Sequence, residues 1–422
     1  MLLVLSDLHL ADTSARRTID VEALCRTIEE CAVRADELPG PGLRVLLLGD
    51  IFEVLKSQVW IDRGLRPWEA SPDGTNRQHE AAVDSIFERI ERCNATFFER
   101  WDELTRRFPR LHAVYVPGNH DWPLNHPIGQ SARRRLVAAL KLEHEPNDLF
   151  EATYQDDDHG VLASHGHEHD VFNRTEPGKV AFGDAVIIEV LLMLPTLVAK
   201  RMPGLNANDP KLEFLHELDN VRPQSPAAMA VWLMQGSAHL QEQLGSGRTA
   251  VEQAVSEVVK RMRELRRARN VTSAWRNSDR WLSALAAAGG FFARLGLLVK
   301  VLGRRDAGDE SGSYLRAAEK SLAAIDEGGP AERIEFYICG HTHLPEHVGV
   351  GNRAGGARVA PMFLNTGTWR RVHRYVPTRG TTPKFVTYDE ECSVLVFNQQ
   401  EREAGAPSYE FRRVARRYPT DG

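Results

Sequence analysis

Apolar residues are gathered in short blocks, and several blocks end on the same kind of polar residue. Leu2–Leu5 ends in Ser-Asp and Arg44–Leu48 in Gly-Asp. Leu111–Val116 ends in Pro-Gly-Asn-His-Asp, Val161–Ala163 in Ser-His-Gly-His, and Ile334–Cys339 in Gly-His-Thr-His. Short runs rich in Val, Leu, Ile and aromatics predict buried strands. Between the first strands, Thr18–Leu38 and Glu80–Phe108 place apolar residues at three- and four-residue spacing, the mark of a helix with one buried face. This alternation predicts an α/β fold. Late in the chain, Met362–Asn365, Lys384–Tyr388 and Ser393–Asn398 predict strands of a mostly antiparallel closing sheet.

The stretch from Val171 to Pro330 breaks the pattern. It is mainly helical, and the strand-ended blocks resume after it. It is predicted as a helical insertion, residues 171–330, dividing a core of residues 1–170 and 331–422. Gly303–Gly312 predicts an exposed loop. Ala185–Ala199 and Ala284–Leu302 are strongly apolar, interrupted by Glu189 and Pro195 in the first and Arg294 and Lys300 in the second. The first is too short to span a bilayer comfortably. Lys260–Arg269 predicts a dense basic helix. Two readings stay open. The insertion packs its own core beneath a solvated basic face, or basic and apolar faces together make a peripheral contact with an anionic membrane or cradle a lipid tail.

Composition narrows the class. The chain has 422 residues, 42% hydrophobic and 26% charged, which permits a sizeable globular core. A net charge of −5 gives no overall case for nucleic acid, although the Lys260–Arg269 run keeps a nuclease open. The five cysteines are odd in number and form no CxxC pair, so inert thiols in a reducing compartment are expected. The opening MLLVLSDLHL lacks a basic region and a long apolar core, which predicts a cytoplasmic start.

The candidate chemistry stands at the strand ends. Asp7 and His9 follow the first strand and Asp50 the second. Asn119, His120 and Asp121 follow the third. His165 and His167 flank Gly166, and His341 and His343 flank Thr342. In layered α/β folds, ligands bind beyond the carboxyl ends of strands, so distant residues converge there. Carboxylate, amide and imidazole donors suit Mn²⁺, Fe or Zn²⁺ better than Mg²⁺ or Ca²⁺. A carboxylate such as Asp50 can bridge two ions, which would activate water for attack on phosphorus.

The ordered set Asp7-Leu8-His9, Gly49-Asp50, Gly118-Asn119-His120-Asp121, His165-Gly166-His167 and Gly340-His341-Thr342-His343 resembles the calcineurin-like metallophosphoesterases. The resemblance covers residues 1–170 and about 331–400. It implies a four-layer α-β-β-α sandwich of two packed β-sheets flanked by helices. It implies one divalent ion on Asp7, His9, Asp50 and His343, and another on Asp50, Asn119, His165 and His341. His120 would approach the scissile phosphate and Asp121 would orient it by a hydrogen bond. The roles of His167 and His169 stay open between support of the site and a solvated loop. Arg370, Arg371 and His373 stay open between phosphate-facing and surface positions, and Arg412 to Arg417 predicts a solvated end.

The implied activity is metal-dependent hydrolysis of a phosphate ester, on a phosphorylated small molecule or lipid. Gly49-Asp50-Ile51-Phe52-Glu53, beside the SDLHL opening, also resembles the UDP-2,3-diacylglucosamine pyrophosphatases, which typically carry Arg where this chain has His120. A pyrophosphatase of a nucleotide-linked lipid at the membrane surface is therefore an alternative. A non-catalytic scaffold binding a partner through the insertion is another.

Overall fold

The computed structural model describes residues 1–14, 19–71, 76–176, 178–245, 247–276, 282–283, 314–316, 318–320, 334–350, 361–376 and 384–417. The expected apolar run Ala284–Leu302 and the expected loop Gly303–Gly312 lie outside these residues. The strands, numbered along the chain, are β1 (Leu2–Leu5), β2 (Leu43–Leu48), β3 (Leu111–Val116), β4 (Thr153–Asp156), β5 (Val161–Ser164), β6 (Val221–Arg222), β7 (Phe336–Cys339), β8 (Glu346–Gly349), β9 (Met362–Asn365), β10 (Arg371–Val376), β11 (Lys384–Val396) and β12 (Tyr409–Arg417).

They form two mixed sheets. The first runs β3-β2-β1-β11-β10-β6, with β12 paired to β11, and the second runs β4-β5-β7-β9-β8. Strands β1, β2 and β3 are parallel, as are β5, β7 and β9. The period-two alternation of strand side chains explains the layering. Leu2, Val4, Leu46, Leu48, Val394 and Val396 from the first sheet meet Val161, Ala163, Phe336, Ile338 and Leu364 from the second in one buried cluster. The alternate residues Leu3, Leu5, Val45 and Leu47 face the helices instead. On the far face of the second sheet, Tyr337, Cys339 and Phe363 pack with Tyr314 and Ala318. Truncating one of these sandwich residues, such as Leu48→Ala, is expected to cost about 2–5 kcal/mol.

Helix Val21–Glu37 crosses between β1 and β2. Asp20 caps it by accepting from the Ala23 N–H, and it buries Leu24, Ile28 and Cys31. The predicted Glu80–Phe108 helix is two helices, Arg77–Cys93 and Ala95–Arg107. Asn94 divides them. Its side-chain amide donates to the carbonyls of Ile90 and Ala11, tying the break to the loop after β1.

Two expectations at the C-terminal end are corrected. Lys384–Tyr388 and Ser393–Asn398 are not separate strands, because β11 runs through the acidic residues between them. The Arg412–Arg417 segment lies within β12, paired antiparallel with β11, and is exposed from Arg413 onward, in keeping with the expected solvated end. The two findings share a cause: Arg413 pairs with Glu390 and Arg416 with Glu391 across the ladder, so the charges that suggest a turn in β11 are compensated by its neighbour. Finally, Met362–Asn365 belongs to the second sheet, parallel to β7, rather than to the closing sheet.

The described part of the predicted insertion is mainly helical. Phe182–Ala199 is one helical rod with a π-helical segment at Val186–Leu192. By length and composition it can cross a membrane, and 78% of it is buried inside the molecule. Glu189, the charge within that apolar run, pairs with Arg66. Helix Pro226–Leu244 packs on helix Gly247–Ala268, whose Val251, Val255, Val258 and Met262 are buried. The basic residues lie on the opposite side, where Arg261 pairs with Glu257 and Arg269 with Glu69. This layer shares a single hydrophobic cluster with the helices of the first sheet. Its strand β6 extends that sheet by pairing with β10. All five cysteines are free thiols.

Candidate metal centre

The ends of β1, β2, β3, β5 and β7 bring the candidate residues to one place. Asp7, His9 and His343 each offer a ligand atom within 4.8 Å of the others, and so do Asp50, His165 and His341. His120 forms a third such group with His9 and Asp50. The two main groups meet across the His9–Asp50 gap, where Nε2 and Oδ2 are 3.9 Å apart.

The backbone is bent to make this possible. Asp7, His9, Asp50, His341 and His343 all have φ between 46° and 70°. Positive φ is uncommon for residues with a Cβ and costs on the order of 1–3 kcal/mol each, so it persists where the surroundings enforce it and clusters at functional sites. Glycine permits the close contacts. A Cβ on Gly118 would lie 2.2 Å from Asp50 Oδ1, and one on Gly49 would lie 2.3 Å from His165 Nδ1.

Several atoms in the cradle have no hydrogen-bond partner. Asp7 Oδ1, Asn119 Oδ1 and His165 Nε2 are buried in this state. Asp7 Oδ1 is 3.1 Å from His343 Nε2, and Asp50 Oδ2 is 3.1 Å from His165 Nε2, yet neither pair is aligned as a hydrogen bond. Buried polar atoms are normally satisfied, and leaving them bare is costly. Asp7 Oδ1, Asn119 Oδ1 and His165 Nε2 lack partners, and His9 Nε2 and His343 Nε2 face each other at 3.2 Å, an arrangement that fits a metal ion. Each cluster has a donor set compatible with a metal ion.

The atoms that do have partners orient the ligands. Ser6 Oγ and the His341 N–H both donate to Asp7 Oδ2. His9 Nδ1 lies 2.9 Å from Glu53 Oε2, and His165 Nδ1 lies 3.0 Å from the Leu48 carbonyl. His341 Nε2 is held by Asp170 at 3.1 Å and by Asn173 at 3.3 Å. Arg222 reaches His343 Nδ1. Such partners fix the ring orientation of metal-binding histidines.

His120 sits at the edge of the cradle, and its partner corrects an expectation. Glu53 Oε1, not Asp121, lies 2.7 Å from His120 Nδ1. Asp121 instead accepts from the backbone N–H groups of Gly118 and Ile51 and holds the β3 loop against the β2 loop. The Asp50 carboxylate also accepts from the His120 N–H at 2.8 Å.

Charge is unevenly distributed. Burial disfavours protonation of His165, but the Asp50 carboxylate outweighs it and raises the group to about 10. Burial likewise opposes a charged His120, yet Glu53 and Asp50 raise it to about 9. His343 is held well below its usual value by burial and the Arg222 guanidinium. His9 is also lowered, by burial and Arg370.

Sequence reasoning missed Glu53 as a site residue, and it missed Asp170, Asn173 and Arg222. Glu53 was visible in the GDIFE run; the others carried no signal beyond proximity to a motif or, for Arg222, none. His167 is half-buried near His165 and His341, with ring centroids at 5.5 and 6.4 Å. Burial and the His165 charge lower it to about 4. His169 bonds the Tyr337 hydroxyl at 2.8 Å. Arg370 and His373, left open by the sequence, are buried. No protein-family model matches the chain, and no curated protein matches it.

Proposed function

We propose that this chain is a metal-dependent phosphoesterase with the two-sheet calcineurin-like architecture and a dinuclear site. Asp7, His9, Asp50 and His343 hold one divalent ion. Asp50, Asn119, His165 and His341 hold the other. Mn²⁺ suits this mixed nitrogen and oxygen set best, with Fe or Zn²⁺ as alternatives and Mg²⁺ less suited. The observation that carries the reading is the convergence of two three-residue clusters with bare, buried ligand atoms at the carboxyl ends of parallel strands.

When bound, the ions supply Lewis acidity, lowering the pKa of the attacking water and neutralising phosphoryl charge. The protein supplies the rest. Asp50 joins the two halves and fixes the His120 backbone. Glu53 holds the His9 and His120 rings on its two oxygens. Held this way, His120 keeps a proton at the edge of the site, where it stabilises negative charge on the phosphate and donates to the leaving oxygen.

The test is hydrolysis of p-nitrophenyl phosphate and bis(p-nitrophenyl) phosphate with Mn²⁺, alongside metal-stripped protein and Asp50→Asn. Metal-dependent turnover that is lost in Asp50→Asn is expected. Absence of bound metal by elemental analysis would refute the reading. Metal binding without turnover of either compound would favour a narrow substrate, such as a nucleotide-linked lipid pyrophosphate, and equilibrium binding would then replace turnover as the assay.

A further inference from the structure

Beside the first ligand group lies a knot of buried charge that the proposed reaction does not use. Lys56 Nζ and Arg370 Nη2 both donate to Asp219 Oδ2, at 2.9 and 3.3 Å. All three side chains are no more than 5% exposed. Among the described residues, Asp219 is the carboxylate paired with either cation, so two positive charges share one negative charge.

Two connections tie this knot to the site. The Lys56 N–H donates to Glu53 Oε1, the atom that holds His120. The Thr368 hydroxyl, two residues before Arg370, donates to the Asp7 carbonyl at 2.9 Å. Arg222 adds a further cation at His343.

Buried charge is costly unless paired. An excess of cations beside a phosphoryl site is balanced by an anion that arrives with the substrate. A phosphomonoester brings two negative charges and three non-bridging oxygens; a diester brings one charge and two oxygens. The planar guanidinium fork matches phosphate oxygens. We propose that Arg370, presented by Asp219 beside Lys56, binds the substrate phosphoryl group and selects a dianionic phosphomonoester over a diester. This rests on the phosphoesterase reading. A purely structural knot, anchoring β6 to the sheet, would instead support both substrates equally.

The experiment uses the Mn²⁺-loaded full chain, as wild type, Arg370→Lys and Arg370→Gln. It measures kcat/KM on p-nitrophenyl phosphate and bis(p-nitrophenyl) phosphate, calorimetric binding of inorganic phosphate, metal content and melting temperature. The wild type is expected to prefer the monoester. Arg370→Gln should lower monoester kcat/KM by about 100-fold and weaken phosphate binding in parallel. The diester should suffer far less, and Arg370→Lys should recover part of the loss. Equal losses on both substrates, unchanged phosphate binding, or a wild-type preference for the diester would overturn the proposal. If neither compound is hydrolysed although metal is bound, the substrate is a narrow one and Arg370 is judged by phosphate binding, which must weaken in Arg370→Gln. If Arg370→Gln does not fold, the same comparison is made with Arg370→Lys, whose retained charge with an altered fork must still weaken phosphate binding.

Discussion

The two halves of the cradle balance charge in different ways. In the half built on Asp7, His9 and His343, one imidazole is backed by a carboxylate, Glu53, and the other by a cation, Arg222. Burial, and after it the charges of Arg370 and Arg222, hold these two imidazoles below their ordinary value. In the half built on Asp50, His165 and His341, both rings are backed by acceptors, the Leu48 carbonyl and the Asp170 carboxylate. There the positive charge is an exchangeable proton on His165. A metal ion entering the second half displaces a proton, whereas one entering the first half adds its charge to cations already in place.

The most drastic way to break this contrast is to remove what the halves share. Asp50→Asn is expected to empty both, with hydrolysis falling by about 10²–10⁴-fold. Retention of one ion per chain by elemental analysis would show that Asp50 is not shared. The contrast is sharpened by changing each half's support separately. Asp170→Asn should weaken metal binding at the second half by about 10–100-fold. Arg222→Met should strengthen it at the first half, because a repelling cation is gone. Stepwise Mn²⁺ titration followed by calorimetry checks both, and shifts in the same direction would dissolve the asymmetry.

The pH dependence of metal binding follows from His165. Its proton, held up to about pH 10, competes with the ion. Affinity at the second half should rise about tenfold per pH unit between pH 7 and 9. Calorimetry in buffers of different ionisation enthalpy should find close to one proton released. No release would mean His165 is already neutral.

The smallest effect concerns stability rather than metal. Asp184, from the rod Phe182–Ala199, accepts from Trp122 Nε1 at 3.1 Å. Burial raises its carboxyl to about 7, against 3.8 for the ordinary group. The folded state therefore holds this proton where the unfolded chain has lost it. The resulting stability is fully present below pH 3.8 and is lost as pH rises to about 7, by at most about 4 kcal/mol. Asp184→Asn should flatten this slope in metal-stripped protein, as read by urea unfolding across pH. An unchanged slope would assign the dependence to other groups.

The strands that carry the site were legible because burial on both faces leaves continuous apolar runs, and each run ends where a ligand must stand. For this reason β1 and β3 lie where the pattern placed them, and β2, β5 and β7 within two residues of it. Strands β10 and β12 were not legible. Their charged residues are compensated by partners elsewhere in the chain, as Arg371 is by Asp389 and Glu217, and local composition cannot reveal that compensation. The same limit applied within the site. Asp7, His9, Asp50, Asn119, His120, His165, His341 and His343 announced themselves by residue type and position after a strand, since the proposed chemistry demands particular donor atoms. The residues that orient them had no such demand. A carboxylate behind His120 can come from any nearby backbone, and packing of the two loops decided that Glu53 provides it while Asp121 bonds backbone amides instead. Arg222 and Asp219 reach the site because the helical layer shares its core with the first sheet and adds a strand to it, an arrangement of distant surfaces that only tertiary packing determines.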